Sequence, residues 1–381
     1  MIQKDSLRII EPKATEDAWV HDLRSGASKL SDLVALGHLS ELEVNALSAV
    51  EERFKFRVGR YYLSLINWLD PKCPIRAQAI PSASELRVSP SELSDPTGDD
   101  TFRVTPLLIH RYPDRVLLMP TLNCPMYCRY CFRKVGLNSH QVRFNDSWEE
   151  TLEYLRERPE IEEVILSGGD PLLLSDHQLR RILDALRNTT PIRRIRIHSR
   201  VPVTLPMRLT DRLISILANA APVVLVAHFN HPKELTTVAC QSLRALRRAG
   251  VTLSNQSVLL KGVNNDPGVL RDLCTGLLDQ GVIPHYLHHP DVTVGTEHLR
   301  ITLEEGIELY RTLRGFTSGL AIPTYVMEIP NGGGKVIVDS GSVQTLGDGQ
   351  WALVSPRTQC TVVWSDPAHV KRTWESRSEK G

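Results

Sequence analysis

Three of the seven cysteines lie within eight residues, at Cys124, Cys128 and Cys131. Their spacing, C-x3-C-x2-C, follows an apolar run that predicts a buried strand. Three thiolates on one loop can bind three irons of a [4Fe–4S] cluster and leave the fourth iron open, whereas ordinary electron-transfer clusters have four cysteine ligands. Structural zinc is an alternative, but His110 and His140 offer no fourth ligand at finger-like spacing. Inert buried thiols are the other alternative, and the spacing favours an iron–sulfur site.

A second motif, NGGGK at residues 331–335, places three glycines directly before Lys335. Consecutive glycines are typical of backbone that takes positive φ or approaches a ligand closely. A phosphate-binding P-loop is excluded because Ile329 stands where that motif needs its first glycine and Val336 follows the lysine. Two interpretations stay open at this point: a surface turn with a solvated lysine, and a lysine that forms a Schiff base with pyridoxal phosphate.

The elements that must position these residues alternate between strands and helices. Residues 15–70 are predicted to be helical, and residues 70–100 are rich in Pro, Ser, Asp and Gly, which is typical of an extended connection. From about residue 115, apolar runs of four to seven residues alternate with longer amphipathic helices. Six such units fit a partial or closed barrel of parallel strands, and an open doubly wound sheet is the alternative.

Composition excludes several classes of protein. The chain has 381 residues, of which 41% are hydrophobic, and 45 basic residues balance 44 acidic ones. This balance argues against a protein whose main partner is nucleic acid. No apolar run approaches the 18 or so residues that span a bilayer, and the first residues contain no apolar signal region. The odd number of cysteines indicates a reducing compartment, so we expect a soluble cytoplasmic protein without a membrane partner.

The cysteine motif, followed by the aromatic Phe132, resembles that of the radical S-adenosylmethionine superfamily. The resemblance implies that the open iron chelates the amino and carboxylate groups of S-adenosylmethionine, and that the reduced cluster cleaves the sulfonium to a 5′-deoxyadenosyl radical. A glycine motif, SGGDP, follows the second predicted strand about 40 residues after the cysteines. Alone it predicts only a tight turn, but Gly168, Gly169 and Asp170 match the motif whose backbone holds the methionyl amino group.

From about residue 19 to residue 339 the chain resembles the lysine 2,3-aminomutase family, which combines this radical chemistry with pyridoxal phosphate. The segments that carry the resemblance are PIRAQAIPSASEL, HRYPDRVL, CPMYCRYCFRK, LSGGDPL, IRIHSRVPVTLP, HFNHP, LKGVNND, LRGFTSG and IPNGGGK. The resemblance implies that Lys335 is the Schiff-base lysine and that Arg111 and Arg115 lie near the cofactor phosphate. It also implies that His228 and Gln256 lie close to S-adenosylmethionine.

The same resemblance bears on the substrate. Arg133 matches the residue that pairs with the substrate carboxylate, and Asp291 and Glu328 match acidic positions that read the distal end of the substrate. Two buried carboxylates need a positive partner, so the resemblance implies a basic L-amino acid, with lysine first, arginine second and glutamate excluded. Glu328 stands where lysine-using members commonly carry Asp. His288 stands where other members place Tyr against the cofactor, and contact with the pyridine ring and simple burial are both compatible with the sequence.

The resemblance thus implies an α/β fold of the radical SAM type, a partial (β/α)6 TIM-like barrel with additions at both ends. The predicted divisions are residues 1–70 (helical), 71–110 (extended), 111–316 (barrel), 317–365 (cofactor lysine and C-terminal segment) and 366–381 (polar tail). The predicted activity is 2,3-aminomutase, an isomerase that converts lysine to β-lysine. The alternatives are an arginine 2,3-aminomutase and a non-mutase radical SAM and pyridoxal phosphate enzyme. A flavodoxin- or ferredoxin-like electron donor and a homo-oligomer, dimer or tetramer, complete the expectations.

Overall fold

Helices form the N-terminal part of the chain, as predicted. The structure is a computed structural model that describes residues 18–138, 144–189 and 192–369. The first five helices are α1 (Ala18–Ser25), α2 (Leu30–Ala35), α3 (Glu41–Arg53), α4 (Arg60–Ser64) and α5 (Pro74–Ala79). The longest, α3, begins with a capping box in which the Ser40 hydroxyl accepts from the Glu43 amide and the Glu43 carboxylate accepts in return. The buried apolar residues of α2, α4 and α5 belong to the core that these helices share with the barrel.

Nine strands form one curled sheet in which spatial order follows chain order. They are β1 (Leu108–Tyr112), β2 (Arg115–Thr121), β3 (Glu163–Gly168), β4 (Arg194–Ser199), β5 (Val223–Ala227), β6 (Thr252–Val258), β7 (Ile283–His288), β8 (Thr324–Ile329) and β9 (Gly334–Ile337). Strands β2 to β8 are parallel, while β1 and β9 pair antiparallel at the two edges. A doubly wound sheet would reverse its strand order at a switch point, so the monotonic order excludes that alternative.

Helices cover the outer face of this sheet and complete six strand–helix units. They are α6 (Phe144–Arg156), α7 (Asp176–Thr189), α8 (Val201–Thr204), α9 (Asp211–Asn219), α10 (Thr237–Arg248), α11 (Pro267–Asp279) and α12 (Leu303–Phe316). The apolar residues of the strands, such as Ile195 and Ile197 of β4, are fully buried in a core shared with these helices. The predicted fold class, a partial (β/α)6 barrel with N-terminal helices and a C-terminal segment, is confirmed.

Side-chain contacts link the two edges of the sheet, although no strand pairing joins β1 to β9 in the described residues and the barrel stays partial. Arg111 on β1 forms an ion pair of 2.7 Å with Glu328 on β8. The hydroxyl of Tyr112, also on β1, accepts a hydrogen bond of 3.3 Å from the backbone amide of Lys335 on β9. These contacts join residues more than 200 positions apart in the chain. The residues on the inner face of the curled sheet are therefore brought around one common space.

A small antiparallel sheet follows the barrel, with strands β10 (Val343–Gly347), β11 (Gln350–Val354) and β12 (Thr361–Ser365). Asp366, the first residue of the predicted tail, is buried, and its carboxylate accepts a 2.7 Å hydrogen bond from the Leu303 amide at the start of α12. Residues 1–17 and 370–381 lie outside the described ranges, and the predicted domain boundaries stay predictions. In the part of the chain that the structure describes, no helix is both long enough and apolar enough to cross a bilayer.

Candidate active site

The cysteine loop, residues 122–131, leaves the carboxyl end of β2, the end at which barrel enzymes place their chemistry. The N-terminal part of the chain holds this loop in place. The Tyr127 amide donates to the Arg57 carbonyl (3.1 Å), and the Arg129 amide donates to the Gln78 carbonyl (2.9 Å). The Arg129 side chain forms a buried ion pair with Glu85. These contacts with the N-terminal part of the chain fix the loop that carries the three cysteines.

The three thiols influence each other electrostatically. Burial, together with Asp170 and the other two cysteines, raises the pKa of Cys124 well above its ordinary value. Burial and the neighbouring Cys128 raise the pKa of Cys131 to about 11. Within the described ranges, no three Cys, His, Asp or Glu side chains are arranged around one ion-sized point. Because each thiolate of a [4Fe–4S] cluster binds a different iron, neighbouring thiols that do not converge on one ion are compatible with such a cluster.

The glycine motif packs against the chain that leads into the cysteine loop. A Cβ added at Gly168, whose φ is +100°, would lie 2.6 Å from the Thr121 carbonyl oxygen. A Cβ at Gly169 would lie 2.4 Å from the carbonyl oxygen of Asn123. Both distances are well inside van der Waals contact, so only glycine fits. The end of β3 and the cysteine loop can therefore share one backbone-lined surface.

Asp170 organises this motif from within. Its carboxylate accepts hydrogen bonds of 2.7 Å from the Ser199 hydroxyl and from the Arg200 amide, and a 3.1 Å bond from the Leu172 amide. Burial raises its pKa to about 6 although these hydrogen bonds lower it. The carboxylate thereby ties the ends of β3 and β4 together. Its predicted role in cofactor binding stays a prediction.

Lys335 lies in strand β9 rather than in the glycine turn that precedes it. Its Nζ is 4.6 Å from the centre of the Tyr286 ring, and Glu328 is its cross-strand partner on β8. Burial lowers its pKa from 10.5 to about 8, although the charges of Glu328 and Asp291 raise it. A lysine held inside the barrel with a lowered pKa differs from the solvated surface lysine that the sequence left open. It has the environment of an amine that can attack an aldehyde.

The pKa of Lys335 leads to a testable pH dependence. Only the unprotonated amine attacks the aldehyde of pyridoxal phosphate, so the rate of cofactor attachment to apoenzyme should rise with pH through about 8 and then level off. An unperturbed lysine would keep gaining rate up to about 10.4. Stopped-flow absorbance across this pH range measures the inflection. Glu328→Gln removes a charge that raises this pKa, so its inflection should move to lower pH. An inflection near 10 in both proteins would contradict the assignment.

The two arginines predicted to bind phosphate flank one tyrosine. The guanidinium of Arg115 lies 4.0 Å from the centre of the Tyr112 ring, and that of Arg111 lies 5.2 Å from it. Arg115 pairs with Asp114 (2.6 Å) and Arg111 with Glu328 (2.7 Å). The Tyr112 hydroxyl accepts from the Lys335 backbone amide, and the charge of Arg111 acts on the Lys335 amine. A planar, charged fork next to an amine suits a phosphate-bearing aldehyde.

Histidines from neighbouring strands line the same space. Within the described part of the chain, the Nε2 atoms of His198, His228 and His288 have no hydrogen-bond partner although they are buried. Burial, with a smaller effect of Arg200, lowers the pKa of His228 to about 3. Gln256, on β6, is partly exposed on the inner face. Unpartnered buried nitrogens are uncommon in proteins, and here they fit a polar ligand on this face.

The residues predicted to bind substrate also lie around this space. Arg133 Nε donates to the carboxylate of Asp99 at 2.8 Å. Asp291 has no ion pair in the described ranges, and burial and the charge of Glu328 raise its pKa to about 7, while Lys335 and Arg133 lower it. The structure therefore brings Arg133, Glu328 and Lys335 within electrostatic reach of Asp291.

Three residues of the site were not identified from the sequence. Asp99 lies in a stretch whose Pro, Gly and Asp content predicts only a connection, and nothing local to it indicates a partnership with Arg133. Tyr112 stands between two predicted site arginines, and that position is a signal that could have identified it. Arg200, which contacts Cys128, follows a predicted strand at the same end as the cysteines, a position that could have marked it.

A parallel barrel with three thiols after its first parallel strand, a glycine motif after its second and an inward lysine on its last hairpin defines an enzyme of the radical S-adenosylmethionine class. Two family models match the chain: one described as Radical SAM superfamily over residues 118–273, and one described as Lysine-2,3-aminomutase over residues 310–348. The chain belongs to the lysine 2,3-aminomutase family of radical S-adenosylmethionine enzymes, and it is a 2,3-aminomutase-type isomerase. The family implies an iron–sulfur cluster, S-adenosylmethionine and pyridoxal phosphate.

Similar proteins carry two different substrate names. An L-lysine 2,3-aminomutase of Fusobacterium nucleatum is 40% identical over 86% of this chain and 78% of its own length. Another from Clostridium subterminale is 40% identical over 84% of this chain and 77% of its own length. A glutamate 2,3-aminomutase of Clostridioides difficile is 36% identical over 84% of this chain and 77% of its own length. The family assignment therefore leaves the substrate to be argued from the site.

Proposed function

We propose that this enzyme moves the α-amino group of a dibasic L-amino acid, L-lysine, to its β-carbon. The observation that carries the proposal is the pair of carboxyl groups at Asp291 and Glu328, both largely buried and both interacting with Lys335. An acidic substrate would place a third negative group beside them. A cationic side chain, by contrast, supplies a positive partner for Asp291, which has no ion pair in the described ranges, while Glu328 already pairs with Arg111.

The other residues of the site have complementary tasks. Lys335 supplies the amine that holds the cofactor aldehyde, and Arg111 and Arg115 bind its phosphate. Arg133 binds the substrate carboxylate, and its ion pair with Asp99 limits the directions in which the guanidinium can point. Because the guanidinium of Arg133 has five N–H donors, one edge can stay hydrogen-bonded to Asp99 while the other edge binds the substrate carboxylate. Tyr286 and the curled sheet exclude water from the space between these groups.

Cys124, Cys128 and Cys131 would hold the cluster, with S-adenosylmethionine between the glycine motif, His228 and Gln256. When bound, the cluster and S-adenosylmethionine would supply hydrogen-atom abstraction, and pyridoxal phosphate would carry the migrating nitrogen. The protein's share is to hold substrate and cofactors at reacting distance in a closed space. An external one-electron donor of the flavodoxin or ferredoxin type must supply the reducing electron.

The test of the substrate uses reconstituted, reduced enzyme with lysine, arginine and glutamate offered separately. Chromatography then detects the β-amino isomer of each. We expect β-lysine as the main product. Arginine is the second candidate, because a planar guanidinium can bridge two carboxylates. A preference for glutamate would contradict the proposal, since neither acidic residue, Asp291 or Glu328, could then bind the side-chain carboxylate of the substrate.

Asp291→Asn tests the carboxylate that has no ion pair within the described ranges. Removing it leaves a cationic substrate end without its partner in a buried site. Such a loss typically amounts to about 3–5 kcal/mol, so kcat/KM for lysine should fall by about 10²–10⁴-fold. Steady-state kinetics measure this fall, while iron and pyridoxal phosphate content should stay at the wild-type level. Nearly unchanged kcat/KM would show that Asp291 does not bind substrate.

Glu328→Gln is the matched comparison, because Glu328 already pairs with Arg111. If it also binds the substrate, KM for lysine should rise as it does in Asp291→Asn. If its task is only to orient Arg111, the affinity for pyridoxal phosphate should fall while KM for lysine stays the same. Glu328→Asp then tests side-chain length through the ratio of lysine to arginine turnover.

A further inference from the structure

Arg200 lies between the cysteine loop and the glycine motif, and none of the roles above includes it. It follows β4 and is 6% exposed. Its Nη1 is 2.9 Å from the Sγ of Cys128. Its backbone amide donates to the Asp170 carboxylate at 2.7 Å, and its Nε donates to the His228 carbonyl at 3.3 Å. The buried guanidinium therefore contacts a candidate iron ligand and the His228 segment, and the backbone amide of the same residue contacts the glycine motif at Asp170.

Buried hydrogen-bond acceptors fix the other nitrogens of the Arg200 guanidinium. Arg200 Nη2 donates to Glu234 Oε1 at 2.8 Å and to Gln78 Oε1 at 2.6 Å. Glu234 is fully buried and accepts further hydrogen bonds from the Tyr62 hydroxyl and the Asn230 amide, both at 2.7 Å. A planar guanidinium held at Nη2 and Nε has little freedom. Its Nη1 is consequently directed at the sulfur of Cys128.

A positive hydrogen-bond donor at a ligand sulfur has a defined effect on an iron–sulfur cluster. Reduction adds one negative charge to the cluster, and hydrogen bonds to its sulfurs together with nearby positive charge stabilise that added charge. Burial strengthens the interaction because the local dielectric is low. Arginine keeps its proton throughout, so no proton transfer accompanies the electron. Glu234 partly neutralises the guanidinium and therefore opposes its effect.

We propose that Arg200 is a positioning residue that orients the Cys128 thiolate and raises the reduction potential of the cluster, with Glu234 setting how much of its charge the cluster experiences. The inference rests on the proposed [4Fe–4S] cluster. In the step concerned, the cluster takes one electron from an external one-electron reductant and its charge falls from 2+ to 1+. Arg200 and Glu234 exchange neither electrons nor protons.

The experiment titrates reconstituted holoenzyme with a reductant and follows the reduced cluster by electron paramagnetic resonance. In Arg200→Gln, the ratio of reduced to oxidised cluster at a fixed potential should fall about tenfold. For a one-electron step, this corresponds to a midpoint reduction potential that is lower by about 59 mV. In Glu234→Gln the midpoint should move the opposite way, because the guanidinium charge is no longer balanced. Arg300→Gln is the matched control, since Arg300 forms a similarly buried ion pair with Glu92.

Opposite shifts in the two variants, with no shift in the control, support the proposal, because simple structural damage would not reverse sign. Unchanged midpoints in both variants, or shifts in the same direction, would overturn it. If Arg200→Gln does not load iron, the sign of the Glu234→Gln shift decides. If the wild-type protein itself fails to bind about four irons under reconstitution, the proposed function fails instead, and iron content distinguishes the two failures.

Discussion

Lys335→Ala should abolish turnover, with a loss of at least about 10⁴-fold, the range in which removal of a covalent catalytic group falls. The side chain is buried, its pKa is lowered to about 8, and its amine lies 4.6 Å from the centre of the Tyr286 ring. Borohydride treatment of the wild-type holoenzyme should attach the pyridoxyl group covalently to a peptide that contains Lys335. Mass spectrometry of the digested protein measures this attachment.

Lys261→Ala is the control for this experiment, because Lys261 is exposed and lies outside the site. It should leave both the labelled peptide and the turnover unchanged. A label on any lysine other than Lys335 would refute the assignment. Retention of unattached cofactor by Lys335→Ala is compatible with the assignment, since Arg111 and Arg115, the proposed phosphate ligands, are still present.

Replacing Cys124, Cys128 and Cys131 together with alanine should eliminate the cluster and with it the cleavage of S-adenosylmethionine. The three thiols are the candidate ligands of three different irons, so their loss removes every cysteine ligand that the motif offers. Iron and sulfide analysis measures loading, and chromatography of 5′-deoxyadenosine measures cleavage. Both signals should fall to background, because the radical has no other source.

Cys360→Ala is the matched control, since Cys360 is exposed and far along the chain from the loop. It should load iron and cleave S-adenosylmethionine as the wild type does. Full turnover by the triple variant would falsify the radical interpretation of the motif. Loss of cleavage in both proteins would instead indicate that reconstitution had failed.

Local signals in the sequence account for much of this architecture. The alternation of apolar runs and amphipathic helices predicted the six strand–helix units, because a parallel strand covered on both faces needs an apolar run and its crossover helix needs an amphipathic pattern. The cysteine spacing predicted a cluster loop because all three ligands lie within eight residues. The glycines before Lys335 were a local signal as well, since positive φ is a property of single residues: Gly332 and Gly334 have φ of +77° and +97°.

The pairings between distant residues had no such signal. Asp99 precedes Arg133 by 34 residues and lies in a stretch that resembles a connection, yet its carboxylate meets the guanidinium at 2.8 Å. Arg200 and Glu234 are both ordinary charged residues in the sequence, and only the fold buries them beside Cys128 and Gln78. A charged side chain that the fold buries must pair with an opposite charge or a hydrogen-bond partner. A sequence pattern indicates burial only where apolar residues recur at a regular period, and these charged residues belong to no such period.

The sequence by itself determined the class of chemistry, because the cysteine motif and the segment that ends in Lys335 are continuous stretches whose residue types and spacing carry the function. The tertiary structure alone decided how Arg111 and Glu328 are used. The sequence assigns one to the phosphate and the other to the substrate, and the structure pairs them at 2.7 Å. The reason is the curl of the sheet: strands β1 and β8 are seven positions apart in strand order, and the curl brings their side chains into contact. Such curvature depends on the sum of many strand twists, a property that no single segment contains.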